Sequence, residues 1–170
     1  DEFPALDLQQ VLDEVDVMSA KLKRRLLPSA DALDKLRELN RFFYEDMRFA
    51  GNVNHYDDPH NSYLNVVLSK RLGIPISLAV LWLELGQSLG LNVSGVSFPG
   101  HFLVKLDLSF PQEGHVVIDP FTGESLSRED LAERLIPWLP GAKLGKPQAI
   151  SDDALAFYLE PAEPRQIIAR

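Results

Sequence analysis

The feature that most constrains the fold is an apolar helical segment that is followed directly by a strand pattern. From Ser77 to Leu89 the side chains are apolar on nearly every side of a helix, which is typical of a helix buried in a core. After Gly90 the period changes, and apolar residues fall at every second position of residues 101–108, which indicates a strand. We therefore predict an α+β fold in which a buried central helix packs on a small antiparallel β-sheet.

Three segments have strand patterns and are separated by short turns, which predicts an antiparallel meander. His101 lies on the face of the second strand opposite to its apolar face. If the hairpin is centred on Phe110, then His101 and Asp119 are directly opposite each other, with about 5.5 Å between their Cβ atoms. The predicted strands cover residues 93–98, 101–108 and 115–119.

Helices are predicted on both sides of this core. Apolar residues recur every three or four positions over residues 6–27, the spacing of an amphipathic helix. Pro28 ends this helix, and Ser29 is predicted to cap a second one. Towards the other end, Ser127 with Asp130 resembles a capping box for a helix, and a shorter helix is predicted after Ser151.

A third helix is predicted before the central one. Asp58 followed by Pro59, or else Asn61, can begin it, and the apolar pattern runs to about Leu72. Gly73 is predicted to supply the left-handed residue at its end. The long loop over residues 49–61 comes before this helix, and long ordered loops are often functional.

The composition excludes several classes of function. The chain has 25 acidic and 17 basic residues and a net charge of −8, which does not suit a protein that binds a phosphate backbone. No apolar run approaches the roughly 20 residues of a membrane span, and no signal peptide is visible. The absence of cysteine excludes a thiol nucleophile and a thiolate metal site. We expect a cytoplasmic protein with neither a nucleic-acid nor a membrane partner.

Three residues are candidates for chemistry, and each has a structural alternative. Ser77 at the start of a buried helix can act as a nucleophile beside free N–H groups, or it can simply cap the helix. His101 can act as a general base or be a structural strand residue. Asp119 can orient that imidazole, but the turn signal of Asp-Pro also explains it. Together the three follow the logic of a nucleophile, a base and an orienting carboxylate.

These residues lie within three strings that resemble a known family. The strings are NSYLNVVLSKRLGIPISLAVL at residues 61–81, GVSFPGHFLV at 95–104 and IDPF at 118–121. They are similar to the SirB-type transglutaminase-like domain of bacteria, in the superfamily of transglutaminase-like and papain-like proteins. The resemblance is strong from Leu33 to Phe121 and looser elsewhere.

The resemblance implies the papain-like fold, and it implies that Ser77, His101 and Asp119 stand at the positions of a Cys-His-Asp triad. A serine in place of cysteine cannot form the thiolate-imidazolium pair of papain-like sites. Two hypotheses follow. The first is acyl transfer or amide hydrolysis by a Ser-His-Asp triad, and the second is a non-catalytic module that binds a peptide or protein in the same cleft. Neither requires a cofactor.

The loop over residues 54–60 holds two histidines and two aspartates, which are possible ligands of a divalent metal, but turn chemistry also explains Asp58-Pro59. The spacing matches no ligand pattern, and we predict no metal site. We expect Tyr56, Asn61 and Tyr63 to line or support the cleft instead.

We predict one domain over residues 1–160. Residues 161–170 resemble the start of a helical segment of the tetratricopeptide type, which fits a role in protein binding. The predicted parts are a helical region at 5–45, a core at 46–121 and a second helical region at 126–160.

Overall fold

A computed structural model describes residues 8–139 and 150–163. Helices and strands are mixed along the chain, which confirms the predicted α+β class. The helices are α1 (Leu8–Lys23), α2 (Ala32–Asn40), α3 (Leu64–Lys70), α4 (Pro75–Ser88), α5 (Arg128–Leu135) and α6 (Asp152–Tyr158). The strands are β1 (Ala50–Gly51), β2 (Leu72–Gly73), β3 (Val93–Val96), β4 (Leu103–Leu108), β5 (Gly114–Ile118) and β6 (Ser125–Leu126).

Strands β3 to β6 form an antiparallel sheet in their order along the chain, as expected of a meander. The predicted register of the β4–β5 hairpin is wrong. Val104 pairs with Ile118, so the register brings Leu103, not His101, into line with Asp119. The hairpin is therefore centred one residue later than Phe110, and both candidate residues lie just beyond the paired strands.

Helix α4 is buried along most of its length and packs on one face of this sheet. Val104, Leu106 and Ile118 from the sheet share a core with it, and α1 and α2 close the same core from the other side. In the middle of α4, the indole N–H of Trp82 donates to the side-chain oxygen of Asn40, 2.9 Å away. The apolar pattern of the helix is thus explained by burial against both helices and strands.

The second face of the sheet is also buried. Val96, Leu103 and Val117 pack there against α5 and α6, in a separate core. Ser127 and Asp130 form the predicted capping box of α5, and Ser151 caps α6, so both predictions are confirmed. Because both faces are covered, a residue that points away from α4 can still be buried, as Leu103 is.

The predicted cap at the start of α2 and the predicted cap at the end of α3 differ from the structure. Asp31 caps α2 instead of Ser29, because its carboxylate accepts the N–H of Asp34 at 2.8 Å. Helix α3 ends at Lys70, and Arg71 adopts the left-handed conformation that was predicted for Gly73. Gly73 instead belongs to β2, which pairs in parallel with β1.

The helical path of α2 continues without a break into a π-helical segment, Arg41–Asp46. Its wider turn is closed by the N–H of Met47, which donates to the carbonyl of Phe42 at 2.8 Å. Phe42 and Phe43 are buried in the first core, and Phe43 stacks on Phe49 with ring centroids 4.4 Å apart. Pi-helical turns are rare and recur near functional sites.

Candidate functional site

A cleft of about 670 Å³ opens where the start of α4 meets the loops at the ends of β4 and β5. Its polar groups are His101, Asp119 and Arg134. The rest of the lining is mainly apolar, with aromatic rings from Tyr56, Phe102 and Phe121 and the helix-start residues 74–76. An apolar concavity with a few convergent polar groups is the usual form of a ligand site.

Asp119 is 7% exposed and lies directly after β5. One carboxylate oxygen accepts the backbone N–H of Phe121 at 2.9 Å. The other accepts a guanidinium N–H of Arg134 at 2.7 Å. Both oxygens therefore have partners, as a buried carboxylate requires.

Arg134 was not among the residues predicted from the sequence. It lies in the last turn of α5, 15 residues after Asp119 along the chain, and the docking of α5 beside the loop brings the two together. The sequence signal was weak, because a basic residue in the last turn of a helix is common for reasons of helix polarity alone.

His101 lines the cleft at the end of a tight turn. Its backbone N–H donates to the carbonyl of Phe98 at 2.9 Å, across Pro99 and Gly100. Gly100 has a φ of +70°, and proline followed by a positive-φ glycine is typical of a type II turn. Burial lowers the pKa of His101, the charge of Arg134 lowers it further, and Asp119 opposes both effects. The imidazole is therefore neutral near pH 7 and can accept a proton.

Ser77 is the third residue of α4 and is 3% exposed. Its hydroxyl oxygen accepts the backbone N–H of Ile74 at 3.1 Å and donates to the carbonyl of the same residue, also at 3.1 Å. Ile74 to Ile76 line the cleft, whereas Ser77 is not among the lining residues. The hydroxyl thus has the geometry of a side chain that caps the first turn.

The wall opposite α4 is the loop that carries Asp119 and Phe121. Tyr44, from the π-helical segment, donates its hydroxyl to the carbonyl of Pro120 at 3.1 Å. Burial raises the pKa of Tyr44, and the charge of Asp119 adds to the effect. The phenol therefore stays protonated and remains a donor. The N–H of Gly51 also donates, to the carbonyl of Phe121 at 3.2 Å, so this wall is fixed from two sides.

The long loop before α3 brings Tyr56 to the cleft, where its ring meets that of Phe121 edge to face at 5.9 Å. Asn61 is buried behind it and donates to the backbone carbonyls of His55 at 2.7 Å and Tyr56 at 3.0 Å. Its own side-chain oxygen accepts from Asn52 at 2.8 Å. Tyr63 is the N-cap residue of α3, its ring is 6.1 Å from that of His60, and it is not among the lining residues. Asn61 thus holds the backbone that carries Tyr56.

Trp138 lies beside the cleft, in a 3-10 turn that follows α5. Its indole packs over Gly100 so closely that a Cβ atom at that glycine would be 2.5 Å from Cζ2. The indole is nevertheless 60% exposed. A glycine is therefore required at this position for two reasons: the backbone has a positive φ, and the indole of Trp138 leaves no space for a Cβ atom.

Within residues 8–139 and 150–163, no cluster of three or more His, Asp or Glu side chains is arranged to hold a metal ion. In the same ranges, no helix has the length and apolar character needed to cross a membrane.

A family model described as "Transglutaminase-like superfamily" matches residues 9–170. The chain therefore belongs to the transglutaminase-like superfamily. No solved structure gives a significant match.

Among curated proteins, the chain is similar to bacterial proteins named UPF0162. It is 45% identical to one from Xylella fastidiosa strain Temecula1 over 137 residues, which cover 80% of this chain and 46% of the relative. It is 33% identical to one from Vibrio cholerae over 142 residues, or 84% and 48% of the two chains. A third, from Pseudomonas aeruginosa, is 31% identical over all of this chain and 57% of its own. The chain thus spans about half the length of these relatives.

Proposed function

We propose that this domain binds a peptide or protein segment in its cleft and does not turn it over. The observation that carries this proposal is the position of the Ser77 hydroxyl. It is buried, it is occupied by two hydrogen bonds to Ile74, and it does not line the cleft. A nucleophile needs its oxygen within reach of both a base and the substrate.

The partners of Asp119 support the same proposal. In a catalytic triad the carboxylate holds the imidazole in one tautomer and stabilises the imidazolium that forms. Here each oxygen of Asp119 accepts a bond from outside a triad, one from Arg134 and one from the backbone of Phe121, so this carboxylate also anchors α5 and its own loop. Burial and then the charge of Arg134 lower the pKa of His101, and the charge of Asp119 only partly offsets them, which disfavours an imidazolium. These contacts suit a neutral hydrogen-bonding surface in a peptide groove.

One observation favours the second candidate, acyl transfer or amide hydrolysis by Ser77, His101 and Asp119. His101 is neutral near pH 7 and lines the cleft together with Asp119, and a neutral imidazole is the form that acts as general base. This mechanism requires the Ser77 hydroxyl to leave Ile74 and turn towards the cleft.

Two reagents separate these candidates. A fluorophosphonate probe reacts only with an activated serine, so we expect no adduct at Ser77 by mass spectrometry. In a Ser77→Cys variant, which carries the chain's only thiol, we expect slow alkylation by iodoacetamide at about pH 6, because the thiol is buried and the start of α4, without help from His101, lowers its pKa only modestly from about 8.5. A further His101→Ala change should leave that rate unaltered.

The matched control is Ser88→Cys. Ser88 also bonds a carbonyl of its own helix, that of Leu85 at 2.7 Å, but it lies at the opposite end of α4. A fluorophosphonate adduct at Ser77, or fast alkylation that His101→Ala abolishes, would favour the enzyme instead.

We also infer a finer identity for the domain. The strings at residues 61–81, 95–104 and 118–121 support the SirB type within the superfamily and its papain-like arrangement. A cytoplasmic location and a tetratricopeptide-like continuation belong to the same inference. The string at 164–170 that suggests this continuation lies outside the described residues.

A further inference from the structure

Two aromatic side chains stand unusually exposed at the cleft. Tyr56, in the lining, is 52% exposed, and Trp138, which packs on the lining residue Gly100, is 60% exposed. Each is fixed from behind, Tyr56 through the backbone bond to Asn61 and Trp138 through its contact with Gly100. Rigid, exposed rings lose little entropy when a ligand covers them, so they are suited to binding.

The cavity next to the cleft is lined mainly by negative charges. A second cavity, of about 730 Å³, shares Arg134 with the cleft as a common wall and is bounded by Glu124, Asp130 and Glu133. Together with Asp119, the two cavities thus have four carboxylates and one guanidinium. Asp119 pairs with that guanidinium at 2.7 Å, so the three carboxylates of the second cavity dominate the field there.

We propose, on the basis of the peptide-binding function above, that the occupant of the cleft is a basic peptide segment. Its lysine or arginine side chains contact the exposed rings of Tyr56 or Trp138, and the carboxylates beyond Arg134, Glu124, Asp130 and Glu133, balance their charge. The aliphatic stem covers apolar surface while the charged end stays near water and carboxylates. A cation over the face of a tyrosine or tryptophan is also attracted by the ring.

An acidic peptide fits these two cavities less well than a basic one. An acidic peptide would bring a carboxylate towards Glu124, Asp130 and Glu133. Among the described residues that line the two cavities, only Arg134 carries a guanidinium or ammonium group, and it is already paired. The chain as a whole carries a charge of −8, which also repels acidic partners and attracts basic ones.

The probe is a set of capped hexapeptide pools in which one position is fixed as Lys, Arg, Gln or Glu and the others are randomised. Binding is followed by protection of tryptophan fluorescence from iodide. Trp138 is exposed and Trp82 is fully buried, so iodide reports on Trp138. Calorimetry gives the affinity of each pool. We expect the Lys and Arg pools to bind at least about fivefold more tightly than the Gln and Glu pools, and to weaken as salt rises.

Two matched pairs of variants test the location. Glu133→Gln should weaken the Lys pool about threefold, whereas Glu129→Gln should not. Glu129 is on the same helix and is exposed, but it lines neither cavity. Trp138→Ala should weaken the Lys pool about threefold, the effect of one exposed cation–π contact, whereas Phe157→Ala should not. Phe157 is 66% exposed and lies on α6.

The possible results separately test the preference for basic peptides, the location of the site and peptide binding itself. Gln or Glu pools that bind as tightly as the Lys pool would overturn the basic preference and leave peptide binding intact. Equal losses in Glu133→Gln and Glu129→Gln would show diffuse attraction by the acidic chain and would overturn the proposed site. The absence of binding by every pool would overturn the proposed function itself.

Discussion

At the scale of single residues, the cleft depends on a glycine that has no room for a side chain. Gly100 combines a φ of +70° with an indole ring packed directly over it. The positive φ is costly for any other residue, and the contact with Trp138 adds a steric cost of its own. The turn before His101 and the packing of Trp138 at the edge of the cleft therefore both depend on Gly100.

Gly100→Ala should lower the free energy of unfolding by about 2 to 3 kcal/mol, from backbone strain plus displacement of Trp138. Gly90→Ala is the matched control, because Gly90 has a φ of +73° and nothing within 4 Å of the place that a Cβ atom would take. It should cost about 1 kcal/mol from strain alone. Urea unfolding measures both, and equal losses would contradict the role of the Trp138 contact.

Some residues of the cleft lining were predicted from the sequence and others were not, for a physical reason. Tyr56, His101 and Asp119 are in the cleft lining, and each stood beside a local signal such as a long loop or an X-Pro turn. Arg134 had no such signal, because its contact with Asp119 depends on how α5 docks on the sheet. The capping geometry of Ser77 was one of two alternatives, and a single sequence does not rank them.

At the scale of elements, the ion pair of Asp119 and Arg134 joins helix α5 to the loop after β5. Its side chains are 10% and 24% exposed, so solvent screens it less than a surface pair. Removal of one partner would leave a mostly buried charge with fewer hydrogen bonds.

A double-mutant cycle of Asp119→Asn and Arg134→Gln should give a coupling free energy of about 2 kcal/mol. The control cycle uses Arg128 and Asp152, which pair at 2.6 Å between α5 and α6 but are 47% and 85% exposed. Exposed pairs contribute about 0.2 to 1 kcal/mol. Unfolding in urea gives both values, and a coupling at Asp119 no larger than that of the control would contradict the role of this pair.

Elements with strong periodicity were predicted well, and their ends and pairing were not. The apolar run of α4 and the alternation of β4 follow from burial and are visible in the residues themselves. The register of the β4–β5 hairpin depends on the number of residues in the connecting turn, and the sequence around Phe110 does not reveal that number. The left-handed residue at the end of α3 was also mispredicted. Glycine adopts this conformation more easily than other residues, so Gly73 was expected there, but Arg71 adopts it.

At the scale of the whole molecule, His101 makes stability depend on pH. Burial and then Arg134 lower its pKa in the folded chain, with Asp119 opposing them. Below the ordinary value of about 6.5, the unfolded chain therefore binds a proton that the folded chain accepts only at lower pH. The stability that neutral His101 contributes is fully present above about pH 6.5, and it is lost as the pH falls through the lowered pKa of His101 in the folded chain.

The urea midpoint of the wild type should therefore fall more steeply between about pH 7 and about pH 5 than that of a His101→Gln variant. His115→Gln, which removes an exposed imidazole from β5, is the matched control. Parallel profiles for the wild type and His101→Gln would contradict the contribution of His101.

The shape of the cleft depends on the number of residues in the π-helical segment, although that segment lies outside the cleft. One extra residue in a helix rotates everything after it by about 100° and advances it by about 1.5 Å. Deletion of a residue that precedes Tyr44 in this segment would restore α-helical pitch and turn Tyr44 away from Pro120. The same change of phase would shift β1 against β2, the strand that leads into α4. An insertion or deletion in this one helical turn is thus transmitted to both walls of the cleft.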